Sequence, residues 1–240
     1  MDNKTVRKLR QVILFALLLA MTMQTMAVAS ADSMEMAEAI VSDAVLQRYL
    51  VSEVDQRSAV AKECVNITSR AAQPFSLAGR VTPAEVDTAT VLLKAETTET
   101  GKVREQYVTL AQARSSYDTN SEEAGDLTAV VRIYWDIEYD ELFGGNNIAF
   151  DRSCHFYYDS GASGVSRIYG ENYVALGNNW DMQTNTWTNP SSGSMKTLYN
   201  DRSGEFSWDD PDSDNCTAHA TTTVYATSVG SLSVDIEMSW

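Results

Sequence analysis

Alternating hydrophobicity predicts an antiparallel all-β fold, a β-sandwich or jelly-roll, with a helical segment ahead of it. Three observations carry this. In Thr128–Glu141, TAVVRIYWDIEYDE, residues Ala129, Val131, Ile133, Trp135, Ile137 and Tyr139 share one parity, while Arg132, Tyr134, Asp136, Glu138 and Asp140 share the other. Side chains of a strand point alternately to opposite faces, so this is a strand with an apolar and an acidic face. Ser231–Trp240 repeats the pattern, with Leu232, Val234, Ile236, Met238 and Trp240 on one side. Between Thr88 and the C-terminus, turn signals at regular spacing mark roughly eight to ten short strands, the layout of a sandwich.

The chain opens with an export signal. Lys4, Arg7, Lys8 and Arg10 precede the apolar run Val12–Met23, and Ala29-Ser30-Ala31 supplies a small-residue cleavage site before Asp32. An apolar run of about a dozen residues falls short of the ~20 that cross a bilayer. Residues 1–31 are therefore read as a signal peptide, and the mature protein as secreted and extracellular. No cysteine follows the run to accept a lipid, so membrane insertion is not expected.

Removing residues 1–31 leaves 14 basic against 32 acidic side chains, a net charge of −18, where the whole chain has −15. Nucleic acid and anionic membranes both select for basic surfaces, so neither is an expected partner. An extracellular glycan or a surface protein is.

Residues 32–72 are read as a helical segment. Ile40, Val41, Ala44, Val45, Leu46, Tyr49 and Leu50 recur at three- and four-residue spacing, and no Gly or Pro interrupts Ser33–Arg70. Residues 73–87 carry Pro74, Gly79 and Pro83 and are read as a linker, with the β domain spanning 88–240. Within it, Thr88–Thr98 and Val103–Ala113 flank a Gly-containing turn and predict a hairpin. Ser115–Asp126 reads as an acidic loop, and Val165–Gly177 as two short strands about Gly170-Glu171-Asn172. Asn178–Asn200 reads as a polar, Trp-containing stretch.

The run from the aromatic strand through RSCHFYYD and SGEFSW to TTTVYATSVGSLSVDIEMSW, Thr128–Trp240, resembles uncharacterised families of small secreted β-rich proteins of Gram-positive bacteria. That resemblance implies an extracellular β-sandwich and no catalytic residues.

Of three cysteines, Cys154 shares a parity with Phe150, Phe156 and Tyr158, and Cys216 shares one with Ala218, Ala220 and Val224. Both are expected to point inward, which favours a Cys154–Cys216 disulfide worth roughly 4 kcal/mol in the chain-entropy model. Two buried free thiols are the alternative, and Cys64 is left over. Cys154-His155 with Cys216 and His219 has the atoms of a zinc site, but each His points away from its Cys on a strand.

Four groups of residues suggest chemistry. Trp180, Trp187 and Trp208 lie among Asn and Asp residues, and flat rings beside hydrogen-bonding groups suit a sugar. A non-catalytic, glycan-binding role is therefore the first reading. Asp136, Glu138 and Asp140 share a strand face about 7 Å apart, a spacing that glycoside hydrolases use. DIEYD is similar to the Glu-x-Asp-x-Glu strand of laminarinase-type jelly-roll hydrolases with its acids exchanged, so a secreted hydrolase is the alternative. Asp210, Asp212 and Asp214 are spaced like the start of a calcium loop, without its Gly or its twelfth-position Glu, and suggest at most a loose Ca²⁺ site. No other cofactor is expected. Lastly, the C-terminal strand ends in Trp240 as the closing strand of an outer-membrane β-barrel does.

Overall fold

A computed structural model describes residues 48–50, 52–76, 79–81, 85–119, 124–140, 146–159, 164–208, 216–227 and 230–240. Compact clustering places residues 49–240 in one unit and residues 1–48 in another; the description concerns the former.

Two antiparallel sheets make up this unit. The five-stranded sheet runs β1 (Asn66–Ser76), β12 (Gly230–Ser239), β11 (Cys216–Ala226), β7 (Val165–Leu176), β8 (Asn179–Thr188). The seven-stranded sheet is built on β6 (Asn146–Asp159), β5 (Ala124–Tyr139) and β4 (Val103–Thr119). Short β10 (Phe206–Trp208) and β9 (Lys196–Leu198) pair with β6, and β2 (Gly79–Val81) and β3 (Glu85–Thr97) pair with β4. The strands form two packed sheets and no open barrel.

The two alternating strands recognised in the sequence are central to both sheets and face each other. Ala129, Val131, Ile133, Trp135, Ile137 and Tyr139 of β5 and Leu232, Val234, Ile236 and Met238 of β12 belong to one core cluster. β11 adds Ala218, Ala220, Val224 and Ala226 to it. Tyr107 of β4 stacks on Trp135 with ring centroids 4.6 Å apart. The Trp135 indole N–H donates to Thr109 Oγ1 at 3.0 Å, which satisfies the one polar atom of a fully buried ring.

One end of the core is closed by α1 (Ala59–Cys64), whose Ala61 joins the cluster together with the following Val65. Ser58 caps the helix and also donates its hydroxyl to Glu105 Oε2 at 2.7 Å. Glu105 is a buried carboxylate, and Tyr107 and Tyr139 donate to it at 2.8 and 3.2 Å. Three hydroxyl donors make burial of that charge tolerable. Burial, followed by the Glu105 contact, pushes the Tyr107 phenol up to about 12, so it stays a donor.

The sequence places helix through residue 72, yet the chain turns to strand at Asn66. Ile67 and Ala71 pack toward the core while Asn66, Thr68 and Arg70 are exposed, and β12 offers a free edge to pair with. Residues 32–47, which carry most of the helical periodicity, lie outside the described residues. The expected acidic loop at Ser115–Asp126 is mostly strand: β4 and β5 continue in register to Asp118↔Ala124. The predicted β3–β4 hairpin is present, with Gly101 at φ +83° in its turn, a conformation that favours glycine.

β6 contains the feature that most alters the sequence picture. Tyr134 pairs with Arg152 but Trp135 with Phe150, so Asp151 is the extra residue of a β-bulge. Before the bulge Ile148 and Phe150 face the core; after it Ser153, His155 and Tyr157 do, and Cys154 and Phe156 turn to the outer face beside Arg132.

β7 runs unbroken through Gly170 where two strands were expected, and the glycine has a packing reason. A Cβ there would lie 2.8 Å from the Trp187 ring and 3.0 Å from His155. Gly170→Ala is predicted to cost about 1–3 kcal/mol through overpacking, read as a lower urea midpoint with an unchanged m-value.

Candidate functional site

Three places in the fold concentrate polar or aromatic side chains, and they differ in access to solvent. The first is interior. His155 has no exposed surface, and both ring nitrogens meet hydroxyls: Nε2 lies 2.9 Å from Ser153 Oγ and Nδ1 2.6 Å from Thr222 Oγ1. Asn172 Nδ2 donates to Ser153 Oγ at 3.2 Å, and the Trp187 ring lies 6.0 Å from the imidazole. A Ser–His contact suggests nucleophilic catalysis, but Ser153, His155, Asn172 and Thr222 are all wholly buried, so substrate has no path to them. Burial drives the imidazole down to about 3, a backbone bond to Thr221 working the other way. The ring is a neutral, hydrogen-bonded part of the core.

The second is the acidic face of β5. Asp136 and Glu138 stand on its outer side, and Asp140 follows Tyr139, the last residue of the strand. Arg104 and Gln106 of β4 converge on Asp136, the latter at 3.2 Å, and Lys102 Nζ lies 2.9 Å from Glu138 Oε1. Cross-strand ion pairs thus already engage Asp136 and Glu138. Strand alternation offers no reason to add Asp151, which the bulge brings near Asp136. Burial pushes the Asp151 carboxyl up; the Arg152 cation opposes this, and the Asp136 charge adds to it. Arg152 lies over the Tyr134 ring at 4.3 Å. This is a satisfied charge network of the kind that holds neighbouring strands in register.

The third is the outer face of the five-stranded sheet, and it is open. Register aligns its side chains in rows that cross all five strands. One row is Asn66, Ser239, Thr217, Ala175 and Trp180; the next is Thr68, Glu237, His219, Tyr173 and Met182; a third is Arg70, Asp235, Thr221, Glu171 and Thr184. At the β8 margin Trp180 is 64 % exposed and Met182 48 %, and the Tyr173 ring lies 6.2 Å from that of Trp180. At the opposite margin a shallow depression is lined by Asn66, Thr68, Arg70, Glu237 and Ser239, with Arg70 bonded to Glu237 at 2.7 Å. Between them Tyr169 donates to Glu171 at 2.7 Å, and that bond, then burial, raises its phenol to about 12. Five strands at the usual spacing put the two margins about 19 Å apart.

The three tryptophans do not share one strand face. Trp180 and Trp187 lie on one strand at opposite parity, so Trp187 turns inward onto the core while Trp180 faces out. Trp208 belongs to β10 in the other sheet, paired with Asn147. Asp210, Asp212 and Asp214 lie outside the described residues. Among those described, no three His, Cys, Asp or Glu gather as metal ligands. What the sequence reading missed is Tyr169, Tyr173 and Met182. Their signal was available, since Arg167, Tyr169, Glu171 and Tyr173 share a parity in β7, but Gly170 made that stretch read as broken.

The expected Cys154–Cys216 disulfide is absent: none of the three cysteines is disulfide-bonded. The bulge at Asp151 is the reason. It turns Cys154 to the outer face, where it contacts Thr197 at 3.5 Å, while Cys216 keeps the inward parity of Ala218 and Ala220. Burial raises the Cys154 thiol, so it is a poor nucleophile. Cys64 accepts from Asn146 Nδ2 at 2.8 Å.

No known family matches this chain, and no curated protein or solved structure is significantly similar to it.

The buried imidazole makes a pH prediction with a definite sign. Its folded pKa of about 3 lies below the ordinary 6.5, so below pH 6.5 the unfolded chain binds the proton and the folded one does not. The stability this neutral ring contributes is complete above pH 6.5 and is lost as the pH falls toward 3. Between pH 6 and pH 4 the unfolding free energy should drop by roughly 2–3 kcal/mol from this group. Urea titrations of the wild type and of His155→Gln isolate it, since the variant lacks that part of the slope.

Proposed function

We propose that this chain is an exported, non-catalytic binding protein whose five-stranded sheet presents its outer face to a glycan. The observation that carries this is Trp180, 64 % exposed on a flat sheet face with the Tyr173 ring beside it. Exposed Trp180 and Met182 and half-buried Tyr173 form a contiguous apolar patch, which marks a binding surface more than a single exposed ring does. An indole can stack on the apolar face of a sugar ring, and the rows of Thr, Ser, Asn and carboxylate side chains beyond it offer donors and acceptors for hydroxyls. A face about 19 Å across five strands suits an extended oligosaccharide better than a single sugar.

The export signal at residues 1–31 and the acidic charge support an extracellular setting, where polysaccharide and surface protein are the available partners. The resemblance to small secreted β-rich proteins points the same way. Hydrolysis by the β5 carboxylates is the weaker reading, because Arg104 and Lys102 already occupy Asp136 and Glu138.

The test is retention of the purified protein on a panel of insoluble polysaccharides, with and without EDTA. Wild type should be retained, and Trp180→Ala should lose at least tenfold in binding while keeping its fold. Asp136→Asn should bind as wild type does. Loss of retention in EDTA would bring the Asp210–Asp214 stretch into the site as a Ca²⁺ loop. Absence of retention on every polymer would refute glycan binding and leave a surface protein as the ligand.

A further inference from the structure

Sheet edges are hazards, and this protein protects most of its own. β2, β9 and β10 are three residues each. β1 carries Pro74 and a register shift between Ala72 and Phe75, and its Ser69 hydroxyl bonds Thr88 of β3. β3 carries Glu85, Asp87, Lys94 and Glu96 and a shift after Leu92, and the segment at Val54–Gln56 pairs along it through Thr90. β8 has one such device, the inward-facing Asp181, whose carboxylate accepts from Asp201 N at 2.7 Å, and none of the others among the described residues. It is ten residues long, pairs with β7 in unbroken register, and ends its sheet. Its sequence, NWDMQTNTWT, holds no Pro, Gly, Lys or Arg and one charge, Asp181.

The direction of its free backbone groups follows from one bond. Asn189 N donates to Ser166 O at 2.8 Å, which makes that pair a hydrogen-bonded one. By the two-residue alternation of an antiparallel ladder, Asn179, Asp181, Gln183, Asn185 and Trp187 bond β7. The N–H and C=O groups of Trp180, Met182, Thr184 and Thr186 then point to the open edge. Local side chains meet two of these N–H groups: Asn185 Oδ1 takes that of Thr186 at 2.8 Å, and the Asp181 carboxylate that of Met182. Both are contacts between sequence neighbours that a pairing strand can displace.

We infer that β8 is an interface for a second copy of this chain, which pairs with it antiparallel about a two-fold axis. Charge favours this place over the rest of the surface. Copies that have lost residues 1–31 carry a net charge of −18 and repel each other over most of their surface, while β8 itself carries one carboxylate. The strand is also self-complementary. With Gln183 opposite its own equivalent, Asp181 meets Asn185, Met182 meets Thr184 and Trp180 meets Thr186 of the second copy, and no carboxylate faces another. The outer faces of both copies then lie on the same side, in one continuous sheet of ten strands. The interface is isologous, so it closes at two copies and leaves β1 at both far edges.

Sedimentation equilibrium of the purified protein reads this directly. Wild type is expected at two chain masses, and Thr184→Pro at one. The proline removes a donor that points away from β7, so the intrachain ladder is kept and the circular dichroism spectrum should be unchanged. Should that variant fail to fold, amide exchange in the wild type decides: the Met182, Thr184 and Thr186 amides are to slow as concentration rises. A wild type of one chain mass at every concentration overturns the inference. So does a dimer that survives in folded Thr184→Pro, or β8 amides whose exchange ignores concentration. None of these results depends on whether the face binds a glycan.

Discussion

An imidazole buried between two sheets is tolerated when it is neutral and both of its nitrogens find partners, and much of this structure is arranged to meet that condition. The extra residue Asp151 turns His155 inward, and Ser153, two residues before it on the same face, comes with it. Thr222 on the opposing sheet supplies the second hydroxyl, and Asn172 secures the first. The ring is too large to sit under an ordinary strand, so β7 carries glycine at the point of contact, and Trp187 covers what remains. Leaving such a group unpaired in the core costs on the order of 1–3 kcal/mol per polar atom, enough to bias the chain toward this one register.

The same bulge organises the outer face of its sheet. It frees Asp151 and Arg152 to join Asp136, Arg104 and Tyr134, so the acidic strand is neutralised from both neighbours. At the far end of the core, Glu105 gathers Ser58, Tyr107 and Tyr139 and fastens α1 to β4. Two buried polar clusters, one at His155 and one at Glu105, therefore pin a core that is otherwise filled by aliphatic and aromatic packing. On the outer side of the five-stranded sheet the polar pairs gather about Arg70, Glu237, Asp235 and His219, toward the β1 margin. Its aromatic side chains at the β8 margin remain in water, which makes that face the available one for a ligand.

Period-two alternation made β5, β11 and β12 legible in the sequence, because each keeps one parity throughout and buries one face. β6 was legible as a strand but its inward face was not, since a bulge shifts parity partway along and nothing in AFDRSCHFYYD marks where. Every inference drawn across that point, the Cys154–Cys216 bond above all, inherited the error. β7 was split at Gly170 because glycine in a strand reads as a break, whereas here it makes room for a neighbour's ring. Asn178–Asn200 read as a polar, Trp-containing stretch because β8 is an edge strand, and an edge with one solvated face has little reason to be apolar. Trp180 was found and Tyr173 was not, because the site is assembled by register between strands. Register is a property of pairing that a single chain segment does not display.

The placement of His155 is the point on which the account turns, and nuclear magnetic resonance of its ring tests it most directly. With the imidazole buried behind the bulge, its nitrogen shifts should stay those of a neutral ring from pH 7 down to pH 4, with a slowly exchanging N–H. A ring that titrates near the ordinary 6.5 would place His155 in solvent, remove the bulge, and return Cys154 to the core.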